Sequence, residues 1–201
     1  MTLPKALLWR RLDVPGAEQV LYDDRRGLAA RGVQVAHERQ AYRVSYELTT
    51  DERWTTTRLD VIAEGPGWQR KVLLERNKRA PRTGEWRITA SERGDLPDGQ
   101  LAGIEDPYRV NDALDVDLAA SPLTNTLPVR RLGLLDAPAG TQHTILAAWV
   151  IVPSLTVVPS KQTYTVLDRH RVRYTSGDFT AVVELDADGF VTRYESLAER
   201  A

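Results

Sequence analysis

The chain has 201 residues, of which 42% are hydrophobic and 27% are charged, with a formal net charge of −1. This balance predicts one globular domain, residues 1–201, and it lacks the basic excess that would indicate nucleic acid as a partner. Cysteine is absent, which excludes disulfides, thiol catalysis and thiolate metal sites.

The amino-terminal region contains only a short apolar run, residues 6–9. A secretory signal needs a longer apolar core followed by a small-residue cleavage site, and a membrane-spanning helix needs about 20 apolar residues. Neither pattern is present. We therefore expect a cytoplasmic protein without a membrane span.

Apolar and polar residues alternate with a period of two in the first half of the chain. This pattern predicts strands over residues 33–37, 42–48 and 68–74, the last of which follows a turn at residues 65–67. Residues 77–84 and 96–112 are interrupted by proline and glycine and are predicted to be loops. Within the second loop, residues 106–112 could form a short helix.

Residues 114–132 read LDVDLAASPLTNTLPVRRL. Asp115 and Asp117 are two positions apart, which places both carboxylates on one face of an extended strand. Pro122 and Pro128 suit neither a helix interior nor a central strand. We therefore predict that the segment after the two acids is irregular.

The side chains of this segment allow two interpretations. In the structural one, the hydroxyl and amide groups bond to nearby backbone, and one of the two acids pairs with Arg130 or Arg131. In the functional one, the two neighbouring carboxylates serve acid–base chemistry, because each raises the pKa of the other. The ion pair requires fewer assumptions.

Strand patterns resume after this segment, over residues 144–152, 163–167, 171–174, 179–185 and 190–194. Residues 144–152 are almost wholly apolar, as in a strand covered on both faces, and residues 186–189 read DADG, a tight hairpin signal. The end from Glu195 could form a short helix. Helical periodicity is otherwise nearly absent, so the predicted fold is all-β, a strongly curved antiparallel sheet that is open and barrel-like.

A weak internal repeat accompanies these strands. Residues 54–68 and residues 179–190 each follow the order strand, acidic turn, strand, with an aromatic residue at either end. Such a repeat would fit two related half-sheets.

The segment 114–132 also carries a longer signature, in which Asp-x-Asp-Leu precedes Ser-Pro-x-Thr-Asn-Thr-Leu-Pro-x-Arg-Arg-Leu. On this signature the chain resembles a bacterial family named for putative glycolipid binding, formerly a domain of unknown function. The resemblance continues through residues 9–10, 15–18, 42–46, 54–56, 153, 162–164, 174 and 186–194. It implies a fold similar to that of carriers that shuttle lipoproteins across the bacterial periplasm.

Catalytic and metal-binding motifs are weak. The histidines His37, His143 and His170 are far apart, without acids or histidines at metal-ligand spacing, so no metal or other cofactor is expected. A triad built on Ser121 would lack the Gly-x-Ser-x-Gly turn that exposes a nucleophile. A calcium loop beginning at Asp186 fails because valine stands at 191, where the loop requires glycine.

We therefore predict a non-enzymatic protein that binds a glycolipid or another amphiphile in an apolar cavity of the curled sheet. The alternatives are a hydrolase acting on a lipid-like substrate and a protein-interaction module. Tryptophan and tyrosine suit such a cavity because each has an apolar body and a polar tip, although both also serve as core residues. The predicted ligand-binding residues are Trp54, Trp86, Asp115, Asp117, Thr124, Asn125, Arg130, Arg131, Trp149, Tyr164 and Tyr174.

Overall fold

The computed structural model describes residues 4–77, 85–97 and 99–201. The strands are β1 (Lys5–Arg11), β2 (Gly16–Asp23), β3 (Ala29–His37), β4 (Ala41–Thr50), β5 (Thr56–Gly65), β6 (Trp68–Arg76), β7 (Trp86–Arg93), β8 (Asp115–Leu118), β9 (Gln142–Ile151), β10 (Thr156–Asp168), β11 (Arg171–Ser176), β12 (Phe179–Leu185), β13 (Val191–Tyr194) and β14 (Ala198–Arg200). One α-helix, α1 (Pro122–Arg131), and one 3-10 helix (Pro107–Val110) complete the elements of the described residues. Of the predicted loop at residues 77–84, all but the first residue lies outside the described ranges.

All fourteen strands belong to one sheet with the order β7-β6-β5-β4-β3-β2-β1-β14-β13-β12-β11-β10-β9-β8. The first seven strands form successive antiparallel hairpins. The chain then passes to the opposite edge of the sheet with β8 and returns strand by strand until β14 pairs with β1. The sheet curls without closing into a barrel. The predicted all-β, curved and open sheet is therefore confirmed.

Strict alternation of buried and exposed residues explains the central strands. In β4 the side chains of Tyr42, Val44, Tyr46 and Leu48 face the concave side and are buried. Gly32 in β3 pairs with Tyr46, and a β-carbon there would lie 2.1 Å from a carbon of the Tyr46 ring. Glycine therefore makes room for the ring to lie across β3.

One neighbouring pair, β8 and β9, is parallel, so the prediction of a wholly antiparallel sheet is wrong at this edge. The two strands are joined through α1, and parallel neighbours require a crossover connection of this kind. The predicted irregular segment is likewise wrong, because residues 122–131 are helical. Pro122 is the first helical residue, where no N–H is needed, and Pro128 removes only one hydrogen bond, near the carboxyl end of the helix.

Helix α1 occupies the concave side of the sheet, and every residue from Pro122 to Val129 is buried. Leu123 and Leu127 belong to the main apolar core, whereas Val129 belongs to a second apolar cluster that also contains Tyr164. The middle of the curl is therefore filled by the helix. The cavities described below lie toward the two ends of this helix.

Three further predictions need correction. The end of the chain forms the short strand β14 instead of a helix, because its backbone bonds to β1 on one side and to β13 on the other. The short helix expected at residues 106–112 is a single 3-10 turn, in which the Asp106 side chain accepts the N–H of Tyr108. Strand β9 was expected to be covered on both faces. It is covered on both faces only in its second half, where the consecutive residues Ala147 and Ala148 are both buried. No helix in the described ranges combines the length and apolarity needed to cross a membrane.

Candidate functional site

A slot with aromatic walls lies between the first turns of α1 and the concave face of strands β8 to β13. Its volume is about 360 Å³. The lining residues are Asp117, Leu118, Ala119, Ala120, Ser121, Asn125, Trp149, Ser160, Tyr174, Ser176, Phe179, Tyr194 and Leu197. Phe179 stands at the edge of the slot with half of its surface exposed. We call this cavity the aromatic slot.

The tyrosines of the slot form a packed cluster. The Tyr174 ring meets the rings of Tyr164, Phe179 and Tyr194 edge to face, with centroids 5.4, 6.0 and 6.1 Å apart, and these separations are typical of favourable aromatic pairs. The Tyr164 hydroxyl donates to the side-chain oxygen of Asn125 at 3.1 Å. These contacts fix the wall of the slot against α1.

Asp117 supplies the charged end of the slot. Its Oδ1 accepts a hydrogen bond from the Thr124 hydroxyl at 3.1 Å, and its Oδ2 accepts one from the Gln162 amide at 2.7 Å. Burial raises the pKa of Asp117, and these two hydrogen bonds oppose that effect. Each oxygen keeps a second acceptor position. The Asn125 side chain uses its oxygen toward Tyr164, which leaves its amide nitrogen as a donor among the described residues. The slot therefore offers both acceptors and a donor beside its aromatic rings.

Asp115 has a different role from Asp117. Its carboxylate is buried and accepts two hydrogen bonds from Arg131, with Arg131 Nε 3.0 Å from Oδ1. The predicted pairing of one acid with an arginine of the segment is confirmed for this pair. Burial raises the pKa of Asp115, and Arg131 lowers it. Arg130 instead lies over the Trp54 ring, 4.5 Å from its centre, and donates to the backbone carbonyl of Asp188.

A wider cleft of about 910 Å³ lies at the carboxyl end of α1. It is lined by Thr50, Asp51, Glu52, Arg53, Trp54, Thr55, Thr57, Arg76, Asn77, Leu114, Arg130 and Arg131. We call it the arginine cleft. The two cavities therefore lie at opposite ends of the same helix.

The predicted ligand-binding residues divide between these places. The aromatic slot is lined by Asp117, Asn125, Trp149 and Tyr174, and Thr124 and Tyr164 lie directly behind these residues. The arginine cleft is lined by Trp54, Arg130 and Arg131, and Asp115 lies behind Arg131. Trp86 is in neither group. It is buried in the main core, where its ring N–H donates to the carbonyl of Ala113 at 3.0 Å.

Glu18 is a residue that sequence reasoning missed. It is buried beneath the amino end of α1, where its Oε1 accepts hydrogen bonds from the hydroxyls of Tyr46 and Ser121, each at 2.6 Å. Its Oε2 has no partner within the described residues. Burial raises the pKa of Glu18 to about 7. The sequence did contain a sign that Glu18 is buried. Glu18 has the same spacing as Val20 and Tyr22, which places all three on the buried face of β2.

Glu18 also bears on the proposed catalytic use of Ser121. The buried Ser121 hydroxyl donates to Glu18, and the described residues that line the slot include no histidine, the base that most often activates a serine nucleophile. The residues that the structure describes contain no cluster of histidine and acidic side chains arranged to hold a metal ion.

Comparison with known proteins identifies the family of the chain. No curated protein matches it. A crystal structure of a DUF1089 family protein from Pseudomonas aeruginosa is similar, with 27% sequence identity, a TM-score of 0.63, and coverage of 100% of this chain and 94% of that chain. The sequence profile of the family described as "Putative glycolipid-binding" matches residues 6–200. Because this match spans nearly the whole sequence, the chain belongs to that family.

Proposed function

We propose that the chain is a non-enzymatic binding protein for a sugar-bearing amphiphile, and that the aromatic slot holds the sugar ring. The observation that carries this proposal is the combination, in one slot, of aromatic faces with the open acceptor positions of Asp117 and the open amide nitrogen of Asn125. A sugar ring presents apolar C–H faces to aromatic rings. Its hydroxyl groups donate to carboxylates and accept from amides.

The size of the slot supports a ring over a whole lipid. Ligand pockets range from roughly 300 to 1,000 Å³, and the slot, at about 360 Å³, is near the lower limit. It accommodates a single ring and the first carbons of an attached chain. The rest of the chain then leaves along Phe179, whose exposed half offers apolar surface at the edge of the slot.

The family description agrees with such a ligand, because it names glycolipid binding. The slot favours binding over hydrolysis, because the described residues of its lining include Ser121 but no histidine to activate it. Asp117 is likewise bonded to Thr124 and Gln162, which holds it in place as an acceptor.

Thermal unfolding with small amphiphiles tests this proposal. Octyl β-glucoside, kept below its micellar concentration, should raise the melting temperature more than methyl β-glucoside or a sugar-free detergent with the same alkyl chain. A ligand present at 100 times its dissociation constant stabilises the folded state by about 2.7 kcal/mol, which is readily seen in a melt. Phe179→Arg should abolish the response because it places a charge where the alkyl chain leaves the slot.

Val35→Arg is the matched control. Val35 is an apolar strand residue with a similar exposure to Phe179, 46% against 50%, and it lies on the outer face of β3, away from the slot. The proposal is wrong if octyl glucoside leaves the melting temperature of the wild type unchanged. It is also wrong if the Phe179 and Val35 variants respond equally.

A further inference from the structure

The arginine cleft carries more positive than negative charge. Four of its lining residues are arginines, Arg53, Arg76, Arg130 and Arg131, whereas Asp51 and Glu52 are the acids in the lining. One of these acids is already engaged, because the Oδ1 atom of Asp51 accepts the N–H groups of Arg53 and Thr55, each at 2.9 Å.

Arg76 is the least satisfied of these arginines. It is the last residue of β6 and is partly buried, and its guanidinium group forms no hydrogen bond or ion pair with any residue in the described ranges. Its charged neighbours are Asp51, Asp115 and Arg131. Asp115 already accepts two hydrogen bonds from Arg131. Its single negative charge therefore lies beside two guanidinium groups, those of Arg76 and Arg131. Burial lowers the pKa of Arg76, and the neighbouring Arg131 adds to that effect.

Arg130, a second arginine of the cleft, is held in place by an unusual tryptophan. Trp54 has a backbone φ of 65°, a left-handed conformation that is costly for a bulky residue and that often marks a functional constraint. This conformation sets the indole ring beneath the Arg130 guanidinium, which stacks on it at 4.5 Å. Stacking uses the face of a guanidinium and leaves edge N–H groups available to an anion.

We propose that the arginine cleft binds the oxyanion of an acidic ligand, a phosphate or a carboxylate, between Arg76 and Arg130. An oxyanion there supplies Arg76 with the acceptors that the described residues do not provide, and it offsets the repulsion between Arg76 and Arg131. The planar guanidinium fork matches the geometry of both anions. This site is separate from the aromatic slot and does not depend on the sugar proposal.

Isothermal titration with inorganic phosphate, at an ionic strength held constant with sodium chloride, tests the site. Wild type should bind phosphate, and Arg76→Gln and Arg130→Gln should each weaken binding about tenfold, which corresponds to the loss of one charge-assisted hydrogen bond. Arg76→Lys should retain part of the affinity, because it keeps the charge and loses the fork. The control is Arg173→Gln, on an exposed position of β11 outside the cleft.

Dihexanoyl phosphatidic acid, used as a monomer, separates a lipid headgroup from free phosphate. Binding tighter than that of inorganic phosphate identifies a lipid anion, and equal binding identifies a soluble one. Phe179→Arg should leave both affinities unchanged, so this site and the aromatic slot fail or succeed separately. The proposal is overturned if wild type binds no phosphate at constant ionic strength. It is also overturned if the Arg76→Gln variant, shown to be folded by an unchanged urea midpoint, binds as tightly as the Arg173 control.

Discussion

Replacing Glu18 by glutamine should remove a pH dependence of stability that this buried carboxyl imposes on the fold. Burial raises the pKa of Glu18 from 4.5 to about 7, so between these values the folded protein binds a proton that the unfolded chain has released. Folding is therefore favoured at low pH, and the contribution of Glu18 to stability is lost as the pH rises from about 4.5 to 7.

The size of this effect follows from the shift. One pKa unit corresponds to about 1.4 kcal/mol, so the free energy of unfolding should fall by roughly 3 kcal/mol across this window because of Glu18 alone. Glu18→Gln should not show this part of the decline, because its amide does not ionise. Glutamine can still accept the hydrogen bonds from Tyr46 and Ser121.

Urea unfolding of wild type and Glu18→Gln, at pH 4.5 and at pH 8, measures the effect. The free energy of unfolding of wild type minus that of the variant is compared between the two pH values. Any packing cost of the amide is the same at both pH values and cancels in this comparison. Glu184→Gln, at an exposed position of β12, is the control and should follow wild type. If Glu18→Gln loses stability with pH as steeply as wild type, the buried carboxyl is not the titrating group and the argument fails.

Two further predictions concern the segment between β8 and the end of α1. Asn125→Ala should destabilise the protein by about 1–3 kcal/mol in urea unfolding, because it leaves the buried Tyr164 hydroxyl without its closest acceptor; a midpoint equal to that of wild type would show that this hydrogen bond contributes nothing. Asp115→Leu should cost about 3–5 kcal/mol, because it leaves the Arg131 guanidinium without its partner. The double variant Asp115→Leu/Arg131→Leu should recover most of that loss, and a double variant no more stable than the single one would refute a buried ion pair.

The strands were predictable because each has one buried and one exposed face, which a period of two records directly. Even the weak internal repeat has a counterpart, since its strands are β5 and β6 in one instance and β12 and β13 in the other. These are the fifth and sixth strands of two consecutive sets of seven. Strands β1, β2 and β7 were not predicted from the sequence. Strand β14 was also missed, because it has three residues, too few for any period to show.

Helix α1 was hidden for a physical reason. A helix is recognised by the contrast between a buried and an exposed face, and the first eight residues of α1 are buried on every side. Two of its polar side chains bond to strand residues, Thr124 to the Asp117 carboxylate and Asn125 to the Tyr164 hydroxyl. Tyr164, like the slot-lining residues from Trp149 to Leu197, lies far along the chain from α1, so only the folded sheet could bring them together.

The junction between the two halves of the sheet has a consequence for how the molecule reaches its fold. β1 is synthesised well before β14, one of its two neighbours, and Arg10 pairs with Glu199 across 189 positions of sequence. Contacts of such separation make folding slow. Until β14 is available, one edge of β1 remains unpaired, and an unpaired strand edge can be captured by another chain. The three residues of β14 thus determine when this internal edge of the nascent sheet becomes paired.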